Sequence, residues 1–374
     1  MRVMIVDDDP WLADLLKQLV LSKRPAAAID CFGDVASAYA GWQRSQYQLV
    51  LADWNLPDDS GLSLLQLIRK QDKDVPLVMI TARADRDSVL AARPLTVSAY
   101  ITKPFEVPKV LECLERLLPE DSTVKTPEQS VDDLENFLAS RSAADLDLPM
   151  LARVKDSLMQ VSSGAPLDFR ELTADWQHDP ALCAYLISAA NSPAYVADGQ
   201  RCTSLADALK RLGGRTSLNL AIGLALRQAC GEEDPLLFAL VQEHLDAAER
   251  VAEKVVQLAR QCGVEHGTLQ VAALLHRMGE LCVLLQVQAW VRQGNRLDDN
   301  AVAQALERHA RPFAIALKAQ WGLPMSLREL IGAAYELPRI QVRREQALIR
   351  LAAALCGSEP AQTLERLRRL AGVD

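Results

Sequence analysis

Apolar positions follow two rhythms along this chain, and the change comes near residue 118. In the first stretch, short apolar runs of strand length alternate with helical spacing. The run 3–6 stops at Asp7-Asp8-Asp9. Pro10 then stands where a first helical turn tolerates it, and Trp11, Leu12, Leu15, Leu16 and Leu19 recur with helical spacing. A weaker strand is predicted at 27–31 and a helix at 35–43. The run 49–53 ends on one carboxylate, Asp53, and a turn rich in Asn, Pro, Asp and Gly occupies 55–61. A helix over 62–70 comes next. Strands at 77–80 and 98–102 end on Thr81 and on Lys103-Pro104-Phe105, and a helix over 107–118 closes the unit. Strands alternating with helices in this way predict a doubly wound α/β domain over 1–118, its five-stranded parallel sheet covered on both faces.

The second rhythm is helical throughout. Residues 119–128 are polar and contain Pro119 and Pro127, so 119–145 reads as a linker. Within it Val131, Leu134, Phe137 and Leu138 make a short amphipathic stripe. It suits a linker helix, a homodimer contact or the start of the next domain. From 146 to 374 apolar residues recur at three and four in 151–161, 182–190, 205–212, 218–229, 236–262, 269–285, 301–320, 327–335 and 345–355. No period-two run of note occurs, and an all-α bundle is the expected form.

The polar residues of the first domain sit at strand ends. Asp7 and Asp8 follow the first strand, Asp53 ends the third, Thr81 the fourth and Lys103 the fifth. In a parallel sheet these ends meet on one rim, where such folds bind ligands. Three carboxylates brought together repel one another and call for a cation. A hard divalent ion with oxygen ligands, most simply Mg²⁺, meets that need. With Lys103 as a second positive charge and Thr81 as a hydroxyl donor, the set suits acceptance of a phosphoryl group on Asp53. Each group alone has an ordinary reading. An Asp after a strand is commonly a solvated turn residue, and Asp7-Asp8 can cap a helix. Their joint order distinguishes the two readings.

Val6-Asp7-Asp8, Asp53-Trp54-Asn55-Leu56-Pro57, Thr81-Ala82 and Lys103-Pro104-Phe105 together resemble the signature of CheY-like receiver domains of two-component response regulators. The resemblance implies a strand order of 2-1-3-4-5. It implies Asp53 as phospho-acceptor, and Mg²⁺ held by Asp7, Asp8, Asp53 and the backbone carbonyl of Asn55. Thr81 and Tyr100 match the switch pair, and Lys103 the active-site lysine. One departure is visible: 91–98, with Arg93-Pro94, lacks the family's Gly-Ala before the fifth strand, and Pro94 is expected to shorten the fourth helix.

In the helical region Asp179-Pro180-Ala181-Leu182, Ala190-Asn191-Ser192-Pro193, the stretch 203–214, Leu274-Leu275-His276, Met278-Gly279 and Trp321-Gly322-Leu323-Pro324 are similar to the HDOD domain, a helical relative of the HD phosphohydrolases. Such hydrolases hold metal with a His, a His-Asp pair and a distant Asp. His244 and His276 match the histidines, but Arg277 stands where the pair needs Asp, and a guanidinium repels a metal. His178-Asp179 lies in the wrong context, and there is no Gly-Tyr-Pro triplet. The expectation is a degenerate, non-catalytic site without a cofactor, with His244 and His276 as helix-face residues and Asn191 as a polar clamp at a helix end.

Composition narrows the rest. Hydrophobic content is 49%, charged content 24% and net charge −8, ordinary for a globular protein and against a broad nucleic-acid surface. No apolar run reaches membrane length, and the eight scattered cysteines suit a reducing cytoplasm. The expected protein is a bacterial, cytoplasmic response regulator. Its partners would be a cognate histidine kinase and a second signalling protein bound by the helical domain. Two rivals are a metal-dependent phosphohydrolase acting on a nucleotide or cyclic dinucleotide, and a DNA-binding regulator using Arg215, Arg343, Arg344, Arg366, Arg368 and Arg369.

Overall fold

The computed structural model describes residues 1–81, 95–118, 133–163, 169–196, 200–228 and 234–373. The expected effect of Pro94 on a fourth helix, and the linker stretch 119–132, lie outside these residues.

The first region is a sheet of β1 (Arg2–Val6), β2 (Ala28–Phe32), β3 (Leu49–Asp53), β4 (Leu77–Thr81) and β5 (Ala99–Thr102). All pairings are parallel and the order is β2-β1-β3-β4-β5. Between and after the strands lie α1 (Pro10–Lys23), α2 (Val35–Arg44), α3 (Gly61–Gln71) and α4 (Val107–Leu117). Alternate residues of the central strands serve opposite faces. Met4, Val6, Val50, Ala52, Leu77 and Met79 join one core with Leu64, Leu65 and Ile68 of α3. Val3, Ile5, Leu49, Leu51, Val78 and Ile80 are equally buried on the other face. A strand buried on both faces shows no polar alternation, which is why β3 and β4 read as continuous apolar runs. Each such side chain stabilises the fold by about 1.5–3 kcal/mol.

The helix starts are set by local carboxylates. Asp9 caps α1, its side chain accepting from the Trp11 N–H at 3.0 Å, with Pro10 in the first turn. Asp34 caps α2 through the Ser37 N–H at 2.7 Å.

The helices of the second region are α5 (Leu134–Ala139), α6 (Ala152–Ser162), α7 (Phe169–Trp176), α8 (Pro180–Ala190), α9 (Leu205–Leu212), α10 (Gly214–Gln228), α11 (Pro235–Gln261), α12 (Gly267–Leu274), α13 (Met278–Val291), α14 (Asp299–Gln320), α15 (Met325–Ala333), α16 (Arg344–Cys356) and α17 (Ala361–Ala371). By packing the chain forms two compact units. One contains Met1–Thr126, Ser157–Leu167 and Gly213–Ala229; the other contains Pro127–Asp156, Asp168–Leu212 and Cys230–Asp374. The first unit therefore includes α10, which lies along α1 with Arg227 paired to Asp14.

One expected helix, 269–285, is two. The chain breaks at Leu275-His276-Arg277, between α12 and α13. Both flanks are buried almost all round, so the apolar pattern continues through the turn and hides it. Gly279, just after the break, lies so close to α14 that an added Cβ would come 2.1 Å from the Ala310 carbonyl oxygen. No single helix among the described residues is long and apolar enough to cross a membrane. The bent pair α12–α13 is apolar enough jointly, and it is core.

Candidate functional site

The sheet register builds the rim. The Asp7 N–H donates to the Phe32 carbonyl at 3.0 Å, Trp54 N–H to Ile80 at 2.8 Å, and Lys103 N–H to Thr81 at 2.7 Å. These ladder bonds at the carboxyl ends of the strands bring Asp7, Asp53, Thr81 and Lys103 together. Asp7 is 3% exposed, Asp53 5% and Thr81 0%, whereas Asp8 faces solvent. Carboxylate oxygens of Asp7, Asp8 and Asp53 all lie within 4.8 Å of one another.

Lys103 Nζ sits 2.8 Å from Asp7 Oδ2 and 2.9 Å from Asp53 Oδ2. Burial works against the lysine's charge, but the two carboxylates prevail and hold its pKa above the ordinary value. Burial pushes the Asp7 carboxyl up to about 6, against the pull of Lys103. Asp7 Oδ1 accepts the Asp9 N–H at 3.0 Å. Asp53 Oδ1 is buried without a hydrogen-bond partner. A buried carboxylate oxygen seldom lacks a partner, and one beside two further carboxylates is suited to a cation or to a new bond. The donor set, all oxygen, is that of a hard divalent ion.

The loop after β3 is shaped around Asp53. Gly61 opens α3 directly against it: an added Cβ would lie 1.8 Å from the Asp53 carbonyl oxygen. Its N–H donates to the Trp54 carbonyl at 2.9 Å. Asn55, in this loop, forms an isolated bridge with Ser60. Asp58 then spans the gap to α2, accepting the N–H groups of Val35 and Ala36 at 2.9 Å each. Those backbone donors, Val35 first, hold its carboxyl below the usual range. Neither Gly61 nor Asp58 stands out in the sequence as a site residue. The run Asp58-Asp59-Ser60-Gly61 carries the capping chemistry, but its partner is 23 residues away. Tyr100 lies on β5 opposite Met79, one residue before Ile101, and is half-buried. Asp9, the third acid of the run, is committed to the cap of α1.

In the second unit Asp179 is fully buried at the start of α8. It accepts the Leu182 N–H at 2.8 Å and the Leu151 N–H at 2.7 Å. Asn191, at the end of α8, uses both halves of its amide on one residue: Nδ2 donates to the Cys202 carbonyl, and Oδ1 accepts the Cys202 N–H, each at 2.8 Å. His244 lies on α11, and His276 with Arg277 lies in the turn between α12 and α13. Arg277 Nη1 donates to His244 Nδ1 at 3.0 Å. His276 Nδ1 donates to the Ala273 carbonyl at 2.6 Å. Burial, with Arg277 adding to it, lowers the His244 pKa; burial also lowers that of His276. A guanidinium thus engages one of the two imidazoles that a metal would need. A guanidinium rather than a carboxylate stands beside the two imidazoles, a set that does not suit a metal ion.

His309 pairs with Glu135 at 3.2 Å, outside this group. Of the arginines weighed for a DNA surface, Arg215 pairs with Glu106 at 3.2 Å, Arg343 with Glu329, and Arg369 with Glu365 at 3.7 Å. Arg344 donates to the Ala371 carbonyl at 3.0 Å.

The sheet order and the aspartate cluster define the first region as a receiver. Comparison with known proteins agrees: residues 3–115 match the response regulator receiver domain and 148–337 the HDOD domain. The second match covers half of the chain, so the protein belongs to the HDOD family, with a receiver domain preceding the HDOD domain. Over 121 residues it is 30% identical to the chemotaxis protein CheY of Pseudomonas aeruginosa, covering 31% of this chain and 95% of that one. Over 117 residues it is 31% identical to the response regulator RppA of Synechocystis, covering 31% of this chain and spanning half the length of that relative. Among solved structures, the non-phosphorylated receiver domain of HemR from Leptospira biflexa aligns with 28% identity and a TM-score of 0.30. That alignment covers 33% of this chain and 98% of that one.

Proposed function

We propose that Asp53 takes a phosphoryl group from a partner histidine kinase, and that the HDOD domain relays its state by binding a second signalling protein. The observation that carries this is the partnerless, buried Asp53 Oδ1 beside Asp7, Asp8 and Lys103. Asp7, Asp8, Asp53 and the Asn55 backbone carbonyl are the groups that would hold Mg²⁺, whose charge would offset that of an incoming phosphoryl oxygen. Asp53 supplies the attacking carboxylate oxygen. Attack on phosphorus forms the acyl phosphate as the donor's phosphorus–nitrogen bond breaks and its imidazole takes up a proton. Lys103 already holds the other Asp53 oxygen, so it fixes the carboxylate and stays close to the charge that arrives. Thr81 and Tyr100 are the groups placed to respond to the new charge, Thr81 from the next strand end and Tyr100 from β5.

The Arg277 to His244 contact supports an adaptor over a metal-dependent hydrolase. The set of paired arginines gives no support to a DNA-binding surface.

The test is transfer from a small phosphodonor, phosphoramidate, to the full chain. Mg²⁺-dependent labelling that is absent in Asp53→Ala and in excess EDTA is expected. Equal labelling of Asp53→Ala would rule out the assigned acceptor.

A further inference from the structure

The lost metal centre of the HDOD domain borders a cavity that no part of the phosphoryl chemistry uses. Its volume is about 270 Å³, and Arg250, Arg277 and Arg350 line it, together with His276, Tyr335 and Glu359. Arg250 comes from α11, Arg277 from the turn before α13, and Arg350 from α16, so arginines from distant parts of the chain line one cavity.

Their hydrogen-bonding capacity is only partly used. Arg350 pairs with Glu359, the one carboxylate in the lining among the described residues. Arg277 spends one N–H on His244, and its Nε is shut from solvent without a partner. Arg250 has no ion-pair partner among the described residues. Helix α13 opens beside Arg277 with no side-chain cap, adding its positive end. The two histidines are held toward the neutral form, and Tyr335 donates its hydroxyl to the His276 carbonyl at 2.6 Å and lies 3.3 Å from Glu280. A site with surplus guanidinium donors selects an anion that accepts several hydrogen bonds at once.

We propose that this cavity binds a small phosphate monoester, such as a nucleoside monophosphate, with Arg250 and Arg277 gripping the phosphate. Arg277 occupies the place where a hydrolase would present a metal-binding carboxylate. Its positive charge repels the metal while keeping an attraction for phosphate. Binding without hydrolysis is the consequence. Tyr335, a residue about half exposed beside His276, offers a flat face for an attached ring. The volume, about 270 Å³, falls just below the usual range of small-molecule pockets, about 300–1,000 Å³. That suits a phosphate with one further group and is too small for a dinucleotide. The inference is independent of any reading of Asp53.

Calorimetric titration of the full chain with guanosine 5′-monophosphate, inorganic phosphate and guanosine tests it. An Asp53→Ala background and EDTA keep the receiver rim out of the measurement. The monophosphate should bind, phosphate should bind more weakly, and guanosine should give no heat. Arg250→Gln, on an exposed position, should leave the melting temperature unchanged and weaken the monophosphate about tenfold, which is the effect of about 1.4 kcal/mol. Arg277→Gln should weaken it at least as much. No heat from the monophosphate at millimolar concentration, equal binding of guanosine, or unchanged affinity in both arginine variants would each overturn the proposal.

Discussion

Each unit buries a carboxylate at a junction between a loop and a regular element, and the two are put to different uses. In the second unit, Asp179 gives one oxygen to the Leu182 N–H and the other to the Leu151 N–H. Burial pushes its carboxyl up to about 6 against the pull of those amides. Its bonding capacity is directed at backbone, and it joins the start of α8 to the segment before α6. In the first unit, Asp53 gives Oδ2 to Lys103 and leaves Oδ1 with nothing. Burial is similar, so burial does not distinguish structure from chemistry. Unspent bonding capacity does.

The largest expected effect follows from the satisfied partner. Asp179→Ala strands two buried backbone donors and removes a helix cap. It should cost about 3 kcal/mol in denaturant unfolding of the second unit. A loss well under about 1 kcal/mol would mean that the two amides find other acceptors, and the contrast would fail on that side. Gly61→Ala comes next. The new methyl would meet the Asp53 carbonyl oxygen at 1.8 Å, and backbone on both sides must shift. A destabilisation of about 2 kcal/mol is expected, with phosphoryl uptake at Asp53 falling as its carboxylate is displaced. Unfolding and labelling with phosphoramidate read the two effects separately. Asp53→Ala should be milder for the fold than either, changing stability by less than about 1 kcal/mol. Lys103 keeps Asp7 as a partner, and Asp7 loses a repelling neighbour. A large destabilisation there would make Asp53 a structural carboxylate like Asp179.

Much of this contrast is visible in the chain itself, for reasons that differ by region. The strand ends of the first domain are legible because a parallel sheet converts sequence order into position: an apolar run that stops on a polar residue puts that residue on the rim. Asp7, Asp53, Thr81 and Lys103 all follow this rule. The break at Leu275-His276-Arg277 is not legible, because residues buried on every side leave no polar face to mark the turn. Helices α7 and α17, Phe169–Trp176 and Ala361–Ala371, lie outside the expected set, although Leu364, Leu367 and Ala371 keep helical spacing in α17; α7 has only eight residues, about two turns. The Arg250, Arg277 and Arg350 group is invisible to spacing, since only the packing of α11, the turn before α13 and α16 brings it together. In the sequence Arg277 stands out only as a missing ligand. Its contact with His244 gives that substitution a positive role.

The smallest effect sharpens the electrostatic half of the comparison. Burial, with Arg277 beside it, lowers the His244 pKa from the ordinary 6.5, and burial with a smaller share from Arg277 does the same for His276. A histidine with a lowered folded pKa resists a proton that the unfolded chain accepts. Stability is therefore intact above about pH 6.5 and is lost as pH falls from there toward the lower folded value. Glu280 and Glu243 oppose the shift at His244, and Glu280 does so at His276, without reversing either. Asp179 works the other way, since its carboxyl is raised and acidification through about 6 favours the fold. The two trends overlap in a single unfolding curve, so the informative quantity is a difference between proteins. Arg277→Gln removes a positive charge from both imidazoles and leaves Asp179 untouched. Its stability should fall less steeply than that of the parent protein between pH 7 and 5, measured by denaturant unfolding at matched ionic strength. An identical slope would assign the lowered histidines to burial alone and leave Arg277 only its role at the cavity.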